Sequence, residues 1–286
     1  MKLIKGTLIP IGGNEDKGYT KDDYNIVDYI EEGILSHVVR EAGGIDAKIV
    51  VIPTASSIPV EVGQNYIDAF NTLGCTNIDV LDIRSLEDSE KPEFITLIKA
   101  ANCVMFSGGD QSKITKRIGG STIHKILKKR FTNEKGFVIA GTSAGAMMMS
   151  NEMIAGGSAS EAFIKGAVTM YKGLGLIPEL IIDTHFIRRG RFGRVTEAVA
   201  QFPKLVGIGL AEDTGLIIKN EILEVIGSGM VIVFDARKLK HNKHKVLSEG
   251  TPMSLTNLRT HILSNGDRFH IRKKKVKVLP IEAPFI

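Results

Sequence analysis

Short, continuous apolar runs recur through the first two-thirds of the chain. Lys48–Pro53 and Cys103–Phe106 are almost entirely apolar, and each is followed, after a turn, by an amphipathic stretch with helical periodicity. A strand that is apolar on both faces must be covered on both faces, as parallel strands packed between layers of helices are. The chain is therefore predicted to have an α/β fold with a doubly wound, mostly parallel sheet.

The same pattern predicts an ordered series of elements. The predicted strands are Leu3–Ile11, Lys48–Pro53, Ile78–Ile83, Cys103–Phe106, Phe137–Ala140 and Ile181–His185. The predicted helices are Asp22–Ala42, Val60–Leu73, one from about Pro92, Ser112–Phe131 and Arg194–Gln201. Four closely spaced β runs follow at Val206–Leu210, Gly215–Lys219, Leu223–Ile226 and Met230–Phe234, which predicts antiparallel strands added to the sheet. Since no linker interrupts this pattern, residues 1–286 are predicted to form a single domain with residues 235–286 as a basic, β-rich extension packed on it.

Basic residues are concentrated at the C-terminal end. The chain has 37 Lys and Arg against 32 Asp and Glu, but the segment from Arg237 to Ile286 holds 12 of the basic and 3 of the acidic residues. The other 236 residues are therefore slightly acidic. A basic segment suggests nucleic-acid binding, but no aromatic interleaving or binding motif accompanies the charge, so this function is disfavoured.

The remaining composition narrows the class of protein. Hydrophobic residues make up 43% of the chain, which is enough for a sizeable core and excludes disorder of the whole chain. Cys75 and Cys103 provide no disulfide framework and match no metal motif. The N-terminal segment runs directly into Gly12 and Gly13, which is typical of a first strand and not of a signal peptide. We expect a reduced, soluble, cytoplasmic protein that uses no metal or organic cofactor.

The strongest catalytic signal is the sequence Gly-Thr-Ser-Ala-Gly at 141–145. It lies between a predicted buried strand and a helix that begins near Ala146, which is the context of a nucleophile elbow. The flanking glycines permit the sharp turn that exposes the serine hydroxyl, and the N–H of Ala144 is predicted to bind a developing oxyanion. Ser143 is therefore the predicted nucleophile, and the alternative is a packing turn of small residues.

A serine nucleophile requires a base and a carboxylate that orients the base. Of the seven histidines, His185 ends a predicted strand, at the edge where parallel sheets form their active sites. His37 and His124 are predicted to lie at the surface, and the four C-terminal histidines to be solvated. Two carboxylates could be the third member: Glu212 follows a strand, and Glu161 lies in a Gly/Ser-rich loop. The restricted freedom of a strand end favours Glu212, and Glu161 stays open.

Two loops that contain Gly-Gly also follow strands. One is Ile11–Asp16 and the other is Phe106–Gln111, and neither matches a nucleotide-binding motif. Glycine lets a backbone N–H approach an oxyanion closely. The second loop is therefore predicted to supply the other oxyanion donor, from Gly109 or Asp110.

Four arginines follow the predicted base within nine residues: Arg188, Arg189, Arg191 and Arg194. Such a cluster recognises carboxylates through bidentate hydrogen bonds, although it could also form a solvated helix face. Arg191 and Arg194 are three residues apart and would share one face of a helix. Asp183 shares a strand face with the predicted base, where it could bind substrate, support the imidazole or pair with an arginine.

Eight short strings carry a family resemblance. In order, they are IGGNED, VIPTAS, FSGGDQ, GTSAGA, MIAGGS, DTHF, GLAEDT and VIGSG. Together they resemble cyanophycinases, which are serine peptidases related to peptidase E, with a sheet similar to that of class I glutamine amidotransferases. The resemblance runs from about Leu8 to Asp235. It implies hydrolysis of cyanophycin, a poly-aspartate carrying arginine on each β-carboxyl group, chiefly to β-Asp-Arg dipeptides, by a homodimer.

The resemblance also implies roles for residues. Ser143, His185 and Glu212 match the triad, and Glu161 matches a position also proposed for the charge relay. The positions that match the substrate pocket are Gln111, Asp183, Arg189, Arg191 and Arg194.

Two departures from the family pattern bear on substrate specificity. Thr184 stands where glutamine is expected, and the chain has no tryptophan, although one is expected after Glu161. The alternative activity is that of a peptidase E-like enzyme, which cleaves short peptides with N-terminal aspartate. The arginine cluster and the additional C-terminal length argue against it.

Overall fold

Strands and helices alternate through the first two hundred residues. The structure, a computed structural model, describes residues 4–18, 28–157, 161, 163–280, 282–284 and 286. The helices are α1 (Ile34–Ala42), α2 (Pro59–Thr72), α3 (Pro92–Ala100), α4 (Gln111–Ile118), α5 (Thr122–Asn133), α6 (Ala144–Met147) and α7 (Phe192–Gln201). The strands are β1 (Thr7–Ile11), β2 (Ile49–Ile52), β3 (Ile78–Val80), β4 (Cys103–Phe106), β5 (Val138–Thr142), β6 (Glu152–Gly157), β7 (Val168–Lys172), β8 (Leu180–Asp183), β9 (Val206–Leu210), β10 (Thr214–Lys219), β11 (Ile222–Gly227), β12 (Val231–Asp235), β13 (Arg259–Leu263), β14 (Arg268–His270) and β15 (Lys275–Lys277).

A nine-stranded sheet lies at the centre, in the order β15-β14-β11-β10-β1-β5-β4-β2-β3. The strands β1, β5, β4, β2 and β3 are parallel, and the four on the other side of β1 are antiparallel. Every residue of β1, β2, β4 and β5 is buried, as expected for strands that are covered on both faces. The predicted α/β class, with a parallel sheet and added antiparallel strands, is confirmed.

The two faces of this sheet carry different layers. α1 and α2 pack on one face, where Val38 and Phe70 join a core with Ile9 and Val51. α3, α4 and α5 cover the other face, on which residues such as Leu8 point into a second core. Alternate residues of one strand therefore contribute to different cores, because successive side chains of a strand point to opposite faces.

A second sheet, in the order β13-β12-β9-β8, is the main departure from the prediction. The runs Val206–Leu210 and Met230–Phe234 were expected to extend the first sheet, but β9 pairs in parallel with β8 and antiparallel with β12. Their apolar residues join the same core as α3, α4 and α5. An apolar run identifies a strand but not its neighbour, because pairing is decided by packing against residues that are distant in sequence.

Two predicted helices have different bounds in the structure. For the prediction Asp22–Ala42, residues 28–33 form turns and the helix begins only at Ile34, while residues 22–27 lie outside the described residues. The predicted helix Ser112–Phe131 is divided into α4 and α5 at a Gly-Gly pair, 119–120. The Ser121 hydroxyl begins α5 by accepting a hydrogen bond from the His124 N–H.

Several histidines are less exposed than predicted. His37 is 2% exposed on the buried face of α1, and His124 places Nε2 at 2.8 Å from the Leu174 carbonyl oxygen. His244 and His261 are half-buried. The predictions that these histidines are exposed were wrong. A helical pattern predicts which residues form a helix, but it predicts less reliably which face of the helix a single polar residue occupies.

The last fifty residues contribute strands to both sheets. β13 pairs with β12 in the second sheet, whereas β14 pairs with β11 and β15 forms the edge of the first. The two cysteines, Cys75 and Cys103, are buried and unbonded. Within the ranges given above, no helix is long and apolar enough to cross a membrane.

Candidate active site

Ser143 lies at the turn from β5 to α6 with φ 51° and ψ −110°. A non-glycine residue in this region is strained by about 1–3 kcal/mol and persists only where its surroundings hold it. The Ser143 N–H donates to the Ile11 carbonyl at 2.9 Å. A Cβ on Gly141 would lie 2.4 Å from the Gly145 carbonyl oxygen, so the turn requires glycine there. The local backbone is that of a nucleophile elbow.

His185 follows β8 and lies between a hydroxyl and a carboxylate. Its Nε2 is 3.1 Å from Ser143 Oγ, and its Nδ1 is 2.7 Å from Glu212 Oε1. Because an ionised carboxylate only accepts hydrogen bonds, Nδ1 carries the proton and Nε2 is left to accept one from Ser143. The imidazole rests on Gly13, where a Cβ would be 2.4 Å from Cε1 of the ring.

Glu212, just after β9, is bonded on both carboxylate oxygens. Its Oε2 accepts from Arg188 Nη1 at 2.9 Å. Burial raises the pKa of the Glu212 carboxyl, but hydrogen bonds from His185, Arg188 and Asn14 together hold that pKa below its ordinary value. The carboxylate is therefore ionised at neutral pH.

Glu161, the other predicted acid, is exposed on the loop after β6. Its backbone carbonyl accepts from the Ile164 N–H at 3.3 Å. Among the residues that the structure describes, Glu212 is the one carboxylate with a hydrogen bond to His185. The geometry thus favours Glu212 as the group that orients the imidazole.

The pKa of His185 is lowered. Burial of the imidazole is the largest cause, and the positive charges of Arg189 and Arg191 act in the same direction. The hydrogen bond to Glu212 opposes them without reversing the shift. The ring is therefore neutral at neutral pH, as a general base must be.

The predicted oxyanion donors differ in whether their N–H groups already have a hydrogen-bond acceptor in the described structure. A Cβ at Gly108 would lie 3.4 Å from Ser143 Cβ, so this Gly-Gly loop borders the nucleophile. The Asp110 N–H donates to the Ala55 carbonyl at 3.0 Å, and its side chain caps α4, which contradicts the prediction that Asp110 could supply a donor. The N–H groups of Gly109 and Ala144 make no hydrogen bond to the described part of the chain.

Asp183 is fully buried at the end of β8, between two arginines. Arg194 Nε lies 3.1 Å from Oδ2, and Arg191 Nη1 lies 3.0 Å from Oδ1. Burial raises the pKa of the Asp183 carboxyl, and the two guanidinium groups only partly offset this effect. Of the roles left open for Asp183 by the sequence, the structure shows the pairing with arginine.

The other residues predicted to line the substrate pocket contact different parts of the structure. Arg189 is exposed and makes no ion pair or side-chain hydrogen bond with the described residues. Gln111 Nε2 donates to the carbonyl groups of Ile154 and Ala155, at 2.9 and 3.1 Å, and so joins α4 to β6. Thr184 is buried with Oγ1 at 3.4 Å from a methionine sulfur, so the expected glutamine position is occupied by a core contact.

Sequence reasoning missed the carboxylate of Glu15. This side chain is 4% exposed and accepts a hydrogen bond from Thr142 Oγ1, next to the elbow serine, at 2.6 Å. An acidic residue two positions after a Gly-Gly pair at a strand end was the available signal, but it does not show which way the side chain points.

Replacing Asp183 is expected to destabilise the fold. Asp183→Asn leaves the nearly buried Arg194 charge without its counter-ion, which costs about 3–5 kcal/mol in the free energy of unfolding. The matched control is Asp235→Asn, because Asp235 is also buried, at 4% exposed, but its partner Arg237 is 45% exposed, and the expected cost is about 1 kcal/mol. Urea denaturation measures both values, and equal losses would contradict the importance of the buried charges.

A strained serine with an imidazole and a carboxylate in line behind it, at the carboxyl ends of parallel strands, defines an α/β serine-type hydrolase. The family model described as Peptidase family S51 matches residues 28–226. The chain belongs to peptidase family S51 and is a serine-type peptidase.

Curated relatives agree with this membership, and a solved structure has a similar fold. The chain is 37% identical over 276 residues to a cyanophycinase of Trichormus variabilis, covering 96% of this chain and 89% of the relative. It is 34% identical over 270 residues to a cyanophycinase of Geminocystis herdmanii, covering 94% and 95%. The fold is similar to that of a peptidase from an acI-B1 actinobacterium, with 20% identity and a TM-score of 0.62 over 91% of this chain and 99% of the other.

Proposed function

We propose that this peptidase degrades cyanophycin to β-Asp-Arg dipeptides through a serine nucleophile and an acyl-enzyme. The observation that carries the proposal is the hydrogen-bonded line from Ser143 through His185 to Glu212, with distances of 3.1 and 2.7 Å. The similarity to named cyanophycinases over nearly the whole chain supports the choice of substrate.

The proposed chemistry follows from this line. His185 Nε2 takes the hydroxyl proton of Ser143, whose Oγ attacks the backbone carbonyl of an aspartyl unit. The resulting imidazolium is stabilised by Glu212 and then protonates the leaving amine. Water, activated by the neutral imidazole, attacks the acyl-enzyme and releases the product with the serine restored.

The tetrahedral oxyanion is held by backbone donors in this proposal. Ala144 directly follows Ser143, and Gly109 belongs to the Gly-Gly loop that borders it. Neither N–H group has a hydrogen-bond partner among the described residues. Fixed donors of this kind stabilise charge as it develops, since they need no reorganisation during the reaction.

The arginine cluster is proposed to select the substrate. Each arginyl branch of the polymer has a free carboxylate, and Arg189 is the exposed guanidinium that would bind it. Arg191 and Arg194 share one negative charge, that of Asp183, so the group retains a net positive charge, which acts on His185. Gln111 is proposed to shape the opposite wall of the pocket through its bonds to β6.

Product analysis tests the function. Purified protein is incubated with cyanophycin and, separately, with Asp-X dipeptides, and the products are identified by mass spectrometry. The proposal expects β-Asp-Arg from the polymer and little hydrolysis of Asp-X dipeptides. Hydrolysis of Asp-X dipeptides alone would instead indicate the peptidase E-like activity, and products formed equally by a Ser143→Ala variant would contradict the serine mechanism.

The pH dependence of the reaction tests His185 as the base. Because burial lowers its pKa, we expect the acid limb of kcat/KM to have its midpoint below the ordinary histidine value of 6.5. Arg189 lowers the same pKa, so Arg189→Gln is expected to move the midpoint to higher pH. The rate of labelling by a fluorophosphonate measures this shift without a substrate carboxylate.

A matched control for the pH experiment is Lys129→Gln, which removes an exposed cation from α5. Its midpoint is expected to equal that of the unaltered protein. A midpoint well above 6.5 in the unaltered protein, or a downward shift in Arg189→Gln, would contradict the assignment.

A further inference from the structure

Residues 12–16, the loop after β1, support the catalytic residues through their backbone. The carbonyl of Ile11, at the end of β1, accepts the Ser143 N–H at 2.9 Å. The next carbonyl, that of Gly12, accepts the His185 N–H at 2.8 Å. The same loop supplies the glycine under the imidazole and the asparagine that is bonded to the orienting glutamate. The segment from Ile11 to Asn14 therefore contacts all three members of the proposed triad.

Glu15 is the acidic residue of this loop that is turned into the protein. Its Oε2 accepts from Thr142 Oγ1 at 2.6 Å, and its Oε1 accepts from the Tyr66 hydroxyl at 2.6 Å and from Lys17 Nζ at 2.9 Å. Burial raises the pKa of the Glu15 carboxyl, but Lys17 and the two hydroxyl donors outweigh it and hold the pKa below its ordinary value. An ionised carboxylate is thus kept behind the nucleophile.

A buried charge with several donors is a costly way to stabilise a fold, since apolar residues of similar volume often do as well. What such a network offers is a fixed geometry, because each hydrogen bond restricts the groups that make it. Here the restricted group is Thr142, the residue immediately before the strained Ser143. The elbow backbone would otherwise relax toward an unstrained conformation and carry Oγ away from the imidazole.

We propose that Glu15 is a positioning residue for the nucleophile, acting through Thr142 to hold Ser143 Oγ within reach of His185 Nε2. The inference rests on the proposed role of Ser143 as the nucleophile. The Glu15 carboxylate is bonded to Lys17, Tyr66 and Thr142 and not to the serine hydroxyl or the imidazole, so its effect is on geometry and not on proton transfer.

Variants of Thr142, whose hydroxyl donates to Glu15, provide the sharpest test. Thr142→Val removes the donor while keeping the shape of the side chain, and Thr142→Ser keeps the donor. Glu15→Gln keeps the volume of the carboxylate but removes its charge and one acceptor. The matched control is Asp267→Asn, a buried carboxylate that accepts backbone N–H groups from Ser264 and Leu279, away from the triad.

Two rates are measured on each folded variant: labelling of the active serine by a fluorophosphonate, and kcat with KM on cyanophycin. We expect Thr142→Val and Glu15→Gln to lower the labelling rate and kcat on the order of 10- to 100-fold, with KM changed by less than about threefold. Thr142→Ser and Asp267→Asn are expected to react at nearly the rate of the unaltered protein. A purely structural role would instead lower thermal stability and leave both rates of the folded molecules unchanged.

The labelling rates and the products distinguish an error in the role of Glu15 from an error in the proposed function. If the unaltered protein is labelled and Thr142→Val is labelled equally fast, the positioning role is overturned, whatever the folding of Glu15→Gln. If the unaltered protein is not labelled at all, the serine mechanism is overturned and this inference with it. If the protein is labelled but does not degrade cyanophycin, the substrate is wrong, and the labelling rates alone decide the role of Glu15.

Discussion

Replacing Ser143 by alanine is expected to lower kcat on cyanophycin by about 10⁴- to 10⁶-fold, because no other described group stands where its Oγ meets the imidazole. The side chain loses one oxygen, so the hydrogen bond from the Ser143 N–H to Ile11 is kept and the fold is expected to be unchanged. The assay follows release of dipeptide from the polymer over time. Circular dichroism and thermal unfolding verify that the variant is folded.

A suitable control for this experiment is Ser248→Ala, which changes an exposed serine in the C-terminal segment. It is expected to leave kcat unaltered. Activity of Ser143→Ala within tenfold of the unaltered protein would exclude the acyl-enzyme mechanism. Retention of fluorophosphonate labelling by that variant would show that another nucleophile reacts.

Replacing Glu212 by glutamine is expected to lower kcat by about 10²- to 10⁴-fold, whereas Glu161→Gln changes it by less than about threefold. Glutamine at 212 removes the charge that stabilises the imidazolium. It also presents an amide N–H₂ group either to His185 Nδ1 or to Arg188, both of which are donors in the structure. Glu161 is exposed and is not bonded to His185, so its charge is dispensable for the same step.

The pair of variants decides between the two candidate acids with identical chemistry at each position. Steady-state kinetics on cyanophycin give kcat and KM for both. A large loss in Glu161→Gln together with near-full activity in Glu212→Gln would assign the triad acid to Glu161. Equal large losses would require both carboxylates in the reaction.

The α/β class and the bounds of most buried strands could be predicted from the sequence. A strand such as β4 is apolar at every position and is bounded by polar turns, so its local pattern is sufficient. Strand partners could not be predicted in the same way. β9 and β12 carry the same kind of pattern as β10 and β11, yet they form a separate sheet, because the choice depends on contacts made across the whole chain.

In the candidate site, too, some features could be predicted from local sequence and others depend on contacts between distant residues. Ser143 and His185 were predictable because each lies at a strand end, where a motif or a topological rule gives a single residue its meaning. The environment of Asp110, whose N–H is occupied by Ala55, depends on how two loops approach each other. Glu15 was missed for the same reason: its partners Tyr66 and Thr142 are 51 and 127 residues away in sequence.

The proposed catalytic residues belong to different sheets. Ser143 follows a strand of the nine-stranded sheet, while His185 and Glu212 follow two strands of the four-stranded sheet. The distance of 3.1 Å between Oγ and Nε2 therefore joins groups carried by two sheets, which the segment after β1 links through its backbone. Catalysis is sensitive to displacements of about 1 Å between the reacting groups. A movement of one sheet against the other by this amount would leave the hydrogen bonds within each sheet intact. The rate of turnover therefore depends on how the two sheets are aligned. In dilute urea, we expect kcat to decline before the circular dichroism of the protein changes.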